Sequence, residues 1–173
     1  MKDLVVLVDE NDLEIGFLEK MEAHQKGMLH RAFSVLIVNS KNEVLLQKRA
    51  DSKYHSAGLW TNTCCSHPRP NELMIEAVTR RLHEEMGIDL KPNFAYKFLY
   101  QTELENNLIE HELDYVFIGS SDDQPIINKQ EVSDWKYLSI PEIRKDVVKN
   151  PNHYTFWFKE ILNNPDLENY LPR

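Results

Sequence analysis

Trp60-Thr61-Asn62-Thr63-Cys64-Cys65-Ser66-His67-Pro68 is followed, a short turn later, by a helix ending Arg80-Arg81-Leu82-His83-Glu84-Glu85-Met86-Gly87, and the rest of the chain is arranged around this pair of segments. The first sets both cysteines of the protein beside a histidine, a proline and an indole. In the second, Pro70-Asn71-Glu72 opens a helix whose apolar positions Leu73, Ala77, Val78 and Leu82 recur at three- and four-residue steps, and Gly87 stops it. Steps of four place Arg80 over Glu84 and Arg81 over Glu85; taken alone these are salt bridges on a wet face. Beside a Cys-Ser-His loop the same carboxylates have a second reading, because Mg²⁺ and Mn²⁺ prefer oxygen ligands and bridge to phosphates.

Upstream, Leu4 to Val8, the turn Asp9-Glu10-Asn11-Asp12 and the apolar stretch around Ile15 and Phe17 predict an N-terminal β-hairpin. Ala32-Phe33-Ser34-Val35-Leu36-Ile37-Val38 is the clearest strand, and after the turn Asn39-Ser40-Lys41-Asn42 the run Glu43 to Arg49 returns as its hairpin partner. Asp51 to Gly58 is polar and irregular, a functional loop that brings Lys53 and His55 toward Trp60. Downstream, Ala95–Thr102 and His111–Ile118 are strands, Trp135–Leu138 is a further candidate, and Pro141–Val148 and Tyr154–Leu162 read as helices. Strands mixed with a few helices give an α/β (α+β) layered domain, a mixed sheet flanked by helices, over residues 1–173 as a single domain.

Composition bounds the function. A chain of 173 residues with 42% hydrophobic and 28% charged residues is globular, and no apolar run approaches the roughly 20 residues of a membrane helix. Met1-Lys2-Asp3 opens no signal peptide, so a cytoplasmic protein and a monomer are the expectation. Adjacent cysteines cannot build a disulfide framework and are read as free thiols. A net charge of −8 argues against a nucleic-acid partner while leaving room for an anionic small molecule where a few Lys and Arg converge.

In the strand around Glu112, alternation puts Glu110, Glu112 and Asp114 on one face and Leu113, Tyr115 and Phe117 on the other, which is the core face. The three acids are then either solvent-exposed or part of a metal and acid–base site. His24, His30 and His67 are by themselves surface histidines. If they converge with Glu110 and Glu112 they suit Mn²⁺, Zn²⁺ or Fe²⁺. Cys65 is a buried small hydrophobe or, with His67 two positions on, a reactive group. Trp60, Tyr100 and Trp157 are by default core aromatics.

Thr61 to Pro68, Arg80 to Gly87 and Glu110-His111-Glu112 together resemble the type I isopentenyl diphosphate isomerases, a branch of the Nudix superfamily, with matching segments from about Lys20 to Trp157. Against the Nudix box, Ser66 stands at the first glycine; Glu72, Arg80, Leu82, Glu84, Glu85, Gly87 and Ile88 fit; Arg81 replaces a glutamate. That replacement weakens a hydrolase metal cluster and adds a cation where a diphosphate could sit. The resemblance implies a Nudix-like fold and conversion of isopentenyl to dimethylallyl diphosphate by proton addition and removal through a carbocation-like state. It implies a catalytic pair of Cys65 and Glu112, with Tyr100 bonded near Glu112, Trp157 facing the cation, Glu112 delivering one proton and Cys65 removing the other. It further implies a divalent metal (Mn²⁺ or Mg²⁺, or Zn²⁺) on His24, His30, His67, Glu110 and Glu112, and Mg²⁺ bridging the diphosphate, Glu85 and the Cys65 carbonyl. Lys20, Arg49, Lys53 and Arg81, with Ser66, match the diphosphate-binding groups. The other readings are a Nudix hydrolase, for which Cys65 is dispensable, and a binding module that turns nothing over.

Overall fold

The computed structural model describes residues 3–172; Met1 and Lys2, expected above to open no export signal, lie outside the described residues. The β-branched run at the start forms β1 (Leu4–Val8), paired antiparallel with β2 (Glu14–Glu19), the expected hairpin. Its tip is fastened to the sheet, because the Asp12 carboxylate accepts from Arg31 Nε at 2.7 Å, from Lys97 Nζ at 2.8 Å and from the Tyr115 hydroxyl. Burial would raise this carboxyl, but Lys97, Tyr115 and Arg31 hold it below the usual range. The chain then passes through α1 (Lys20–Lys26), closed by Gly27 at φ 62°, into β3 (His30–Val38), the strand on which the sheet is built.

Downstream come β4 (Glu43–Arg49), the short β5 (Trp60–Thr61) and β6 (Cys64–Ser66), α2 (Met74–Met86), the long antiparallel pair β7 (Asn93–Glu103) and β8 (Ile109–Ser120), then β9 (Val132–Ser139), α3 (Ile140–Lys149), α4 (Phe156–Asn163) and α5 (Leu167–Tyr170). Asn71 takes the left-handed φ of 61°, so Pro70–Glu72 is a turn and α2 starts at Met74. At its other end Gly87, at φ 64°, cannot be replaced by an L residue without collision: a Cβ there would sit 2.7 Å from the Ile126 carbonyl oxygen.

The hairpin expected of β3 and β4 exists only at its tip. The two strands meet at Val38↔Val44 and then separate, β4 pairing along its length with β9 while β3 pairs in parallel with β8, from His30↔Glu112 to Val38↔Ser120. The Thr63 side chain accounts for the split. Its hydroxyl accepts from the Ile37 N–H at 2.9 Å and donates to the Leu45 carbonyl at 2.6 Å, joining the separated strands where no backbone ladder can. β6 follows at once and takes the vacated edge of β3, at Phe33↔Ser66, Ser34↔Cys65 and Val35↔Cys64.

β3 is buried on both faces. Phe33, Val35 and Ile37 pack with Ala77, Val78, Leu82 and Met86 of α2, whereas Leu36 and Val38 pack with Tyr96, Tyr100 and the α4 residues Trp157, Phe158 and Ile161. Each large side chain buried this way contributes about 1.5–3 kcal/mol. Two covered faces make a mixed sheet between helical layers, the layered α/β fold expected. No helix among the described residues is long and apolar enough to cross a membrane.

Candidate active site

The site lies on the α4 side of β3, where the strand neighbours bring together residues far apart in sequence. β8 and β6 flank β3 on its two sides, so Glu112 enters from one side, opposite His30, and Cys65 from the other, opposite Ser34. Both line one chamber with Arg49, His55, Glu110 and Trp157. Alternation sends the neighbouring cysteines to opposite faces: Cys64 is sealed under α2 and Cys65 faces the chamber.

The acids of β8 are not on a wet face. Glu110, Glu112 and Asp114 are 3%, 5% and 1% exposed, because α1, the loop after β4 and α4 cover the strand that alternation left open. Three imidazoles surround one oxygen: Glu112 Oε1 lies 2.9 Å from His67 Nε2, 3.3 Å from His30 Nε2 and 3.9 Å from His24 Nε2. His24 and His30 donate Nδ1–H to the carbonyls of Lys20 (2.7 Å) and Met28 (2.8 Å), which fixes their tautomers and aims each Nε2 inward. Those two Nε2 atoms are buried without a hydrogen-bond partner. Buried, pre-aimed and unpartnered imidazole nitrogens beside a carboxylate are a donor set that fits a divalent ion, and the backbone carbonyls supply the support that metal-ligating histidines need.

The Tyr100 hydroxyl stands 2.7 Å from Glu112 Oε2 and 3.1 Å from Glu110 Oε2. Burial and the Glu112 charge push the Glu110 carboxyl up, whereas Glu112, although burial opposes it, is held well below the usual range by His30 and His67. One hydroxyl proton cannot serve two acceptors at once, and the shorter distance makes Glu112 the acceptor of the Tyr100 O–H, with Glu110 Oε2 beside it. Asp114, bonded by the Ser34 hydroxyl at 2.8 Å, is raised by burial and the Glu112 charge to about 8.

Arg49 forms the floor beside Cys65. Its Nε and Nη2 donate to the Ser56 and His55 carbonyls, each at 3.2 Å, Nη1 is 3.8 Å from Cys65 Sγ, and the guanidinium lies 5.3 Å over the Trp157 ring. Burial raises the Cys65 thiol to about 12, against the pull of Arg49. Trp157 is oriented through Asn62, which accepts from its Nε1 at 3.2 Å and donates to the Cys64 carbonyl at 2.7 Å.

Outside the chamber a second hollow of about 220 Å³ is lined by Lys20, Lys53, Ser66, Arg69, Arg80 and Arg81 with the acids Asp3 and Glu131. Lys53 pairs with Glu131, and Arg81 reaches Glu84 at 2.8 Å, Glu85 at 2.5 Å and Glu131 at 3.3 Å. Lys20 is lowered by burial and by Lys53, Arg81 and Arg49, with Asp3 only partly offsetting them, the signature of cations crowded without enough counter-charge. Glu85 is buried and accepts from Arg81 and from Gln47 Nε2 at 2.8 Å.

All the site residues expected from the sequence fall in or against these two hollows: Lys20, Arg49, Lys53, Cys65, Ser66, His67, Arg81, Glu110, Glu112 and Trp157 line the chamber, His24, His30 and Tyr100 stand behind Glu112, and Glu85 is bonded to Arg81. Sequence reasoning gave no role to His55, Gln47, Asn62 or Arg69. Of these only His55 carried a signal, its place in the polar loop before Trp60.

A NUDIX domain family model matches residues 28–158. The "Isopentenyl-diphosphate Delta-isomerase 2" of Aromatoleum aromaticum is 50% identical over 94% of this chain and 86% of its own length, and the protein of the same name from Photorhabdus laumondii is 52% identical over 94% and 92%. The "Isopentenyl-diphosphate Delta-isomerase" of Pectobacterium atrosepticum is 52% identical over 90% and 87%. Among solved structures, a Deinococcus radiodurans protein superposes with a TM-score of 0.78 at 16% identity, covering 92% of this chain and 97% of that one. A MutT protein of Methanosarcina mazei gives 0.67 at 24%, covering 82% and 96%. At those identities the two structures share the fold.

Proposed function

This chain belongs to the NUDIX domain family and, within it, to the isopentenyl-diphosphate Delta-isomerases, and from that premise we propose how its residues divide the work of turning isopentenyl diphosphate into dimethylallyl diphosphate, a precursor of isoprenoids. The observation that carries the proposal is the placement of Cys65 and Glu112 on strands flanking β3 from its two sides, both facing one chamber beside a basic hollow. The diphosphate binds in the basic hollow through Lys20, Lys53, Arg81 and Ser66, with Arg49 at the boundary, and exchanges places with Glu131 as the partner of Lys53 and Arg81. The five-carbon tail then enters the chamber.

An alkene is a poor base, so proton delivery passes near a tertiary carbocation that water or the diphosphate would trap. Exclusion of water by α4 and the facing Trp157 ring protect it. Cys65 delivers the proton to the terminal carbon and Glu112 removes one from the carbon next to the CH₂–O group. This reverses the direction drawn above from the resemblance. Burial holds Cys65 as a neutral thiol, and the imidazoles hold Glu112 as a carboxylate; a nearby diphosphate and a nearby cation each reinforce those states. After turnover the proton gained by Glu112 returns to the Cys65 thiolate, and the reverse reaction uses the same groups in opposite roles.

The chain's membership implies use of a divalent metal, and His24, His30, His67, Glu110 and Glu112 would hold one, Mn²⁺ or Mg²⁺ or Zn²⁺, its charge fixing the two carboxylates against Tyr100. Glu85 and the Cys65 carbonyl would hold Mg²⁺ against the diphosphate; each Glu85 oxygen keeps a lone pair beyond its bonds to Arg81 and Gln47. Residues 1–173 are taken to act as one catalytic unit, a cytoplasmic monomer.

Deuterium exchange tests the assignment. With isopentenyl diphosphate and metal in D₂O, Glu112→Gln should place deuterium in the terminal methylene of the substrate while forming little dimethylallyl product, and Cys65→Ala should exchange nothing. Exchange by Cys65→Ala and none by Glu112→Gln would restore the opposite roles.

A further inference from the structure

The buried cluster offers a second set of donors that overlaps the first. His55 Nε2 lies 3.6 Å from Glu110 Oε1, and the donor atoms of His24, His55 and Glu110 lie within 4.8 Å of one another, as do those of His24, His30, His67 and Glu112. Around one ion with metal–nitrogen bonds of about 2.1 Å, neighbouring donors stand about 3 Å apart and opposite donors about 4.2 Å apart, so each set has the spread of a single coordination shell. His24 belongs to both sets. Its Nδ1 is committed to the Lys20 carbonyl at 2.7 Å, which leaves Nε2 as its one donor, and one lone pair serves one ion. The same Tyr100 hydroxyl binds Glu110 of one set and Glu112 of the other. The two sets therefore meet at His24 and at the Tyr100 hydroxyl.

We infer that His55 is a sixth protein ligand of the ion at this centre, completing a shell of four imidazoles and two carboxylates with His24, His30, His67, Glu110 and Glu112. The inference rests on the metal reading above. The loop that carries His55 is anchored so that the ring faces the cluster, since Arg49 bonds the carbonyls of both His55 and Ser56, and the His55 ring lies stacked on His24 at 5.6 Å and edge-on to Trp157 at 6.0 Å. A six-donor shell leaves no coordination position for water or substrate. The ion then acts through its charge on Glu110 and Glu112 and never touches the alkene.

Mn²⁺ alone is the probe, in the full chain. His55→Phe keeps a ring of similar size against His24 and Trp157 and removes the nitrogen; His55→Ala is the second variant, and circular dichroism melts confirm folding. The wild type should bind one Mn²⁺ with the low water-proton relaxivity of an ion lacking bound water. Both variants should bind it at least about 100-fold more weakly, beyond the 10- to 100-fold of a residue that only supports a ligand, and should gain the relaxivity of one exchanging water. Unchanged affinity and relaxivity in folded His55→Phe would overturn the sixth ligand while leaving the five-residue centre standing. A wild type that binds no Mn²⁺ at this centre would overturn both.

Discussion

Thr63→Val tests whether one hydroxyl holds the divided sheet together. Valine matches threonine in shape, so the change leaves no cavity, but it strands two buried backbone groups: the Ile37 N–H, bonded at 2.9 Å, and the Leu45 carbonyl, bonded at 2.6 Å. Thr63 is fully buried, and water cannot replace its hydroxyl without opening β3 from β4. Each stranded group costs about 1–3 kcal/mol, so the variant should lose about 2–6 kcal/mol. At roughly 2–4 °C per kcal/mol for a chain of this size, its melting temperature should fall by at least about 4 °C. Thr63→Ser, which keeps the hydroxyl, should lose about 1 kcal/mol or less. Because Cys65 lies two residues on, in the strand Thr63 admits, Thr63→Val should also lower turnover. Urea denaturation followed by circular dichroism reads the stability directly. A loss under about 1 kcal/mol with unchanged slope would refute the bridge and mean that β3 and β4 satisfy these groups another way.

Cys65→Ala should fold and lose about 10²- to 10⁴-fold in turnover, the range of an acid–base group, whereas Cys64→Ala should cost stability and leave turnover nearly intact; equal, small effects would remove Cys65 from the chemistry. His30→Ala should lose its bound divalent ion in elemental analysis of protein purified in Mn²⁺, and full stoichiometry would dismiss that ligand. Asp114 has a folded value near 8 against an ordinary 3.8, so its contribution is favourable below pH 4 and is lost as pH rises toward 8, at about 1.4 kcal/mol per unit. Asp114→Asn should therefore match the wild type near pH 4 and exceed it by up to roughly 4 kcal/mol at pH 7, measured as a difference in urea midpoints; a gap independent of pH would show that Asp114 does not titrate in this window.

The sequence made the local elements legible and left their partners obscure. The periodicity of Leu73, Ala77, Val78 and Leu82 gave α2, and the apolar run Ala32–Val38 gave β3, because each signal is complete within a few residues. The β3–β4 hairpin misled for the same reason: a four-residue turn between two apolar runs says nothing of Thr63, which arrives later in the chain and separates them. Alternation in β8 divided Glu110, Glu112 and Asp114 from Leu113 and Phe117, but two faces with different chemistry can both be buried. What covers the acidic face is α1 from the start of the chain and α4 from its end. The expected histidines and cations converge as the resemblance implies, while His55, read as part of a functional loop, had no role of its own in the sequence because that loop has no period and is placed by the guanidinium of Arg49.

This chain moves a double bond within a diphosphate that it leaves intact. Proton and phosphorus NMR of isopentenyl diphosphate incubated in D₂O with the protein, Mg²⁺ and Mn²⁺, the metals being chelated before acquisition, reads both parts at once. New allylic methyl signals carrying deuterium are expected beside an unchanged pair of diphosphate resonances. Release of monophosphate or inorganic phosphate without allylic signals would contradict it and make the chain a hydrolase.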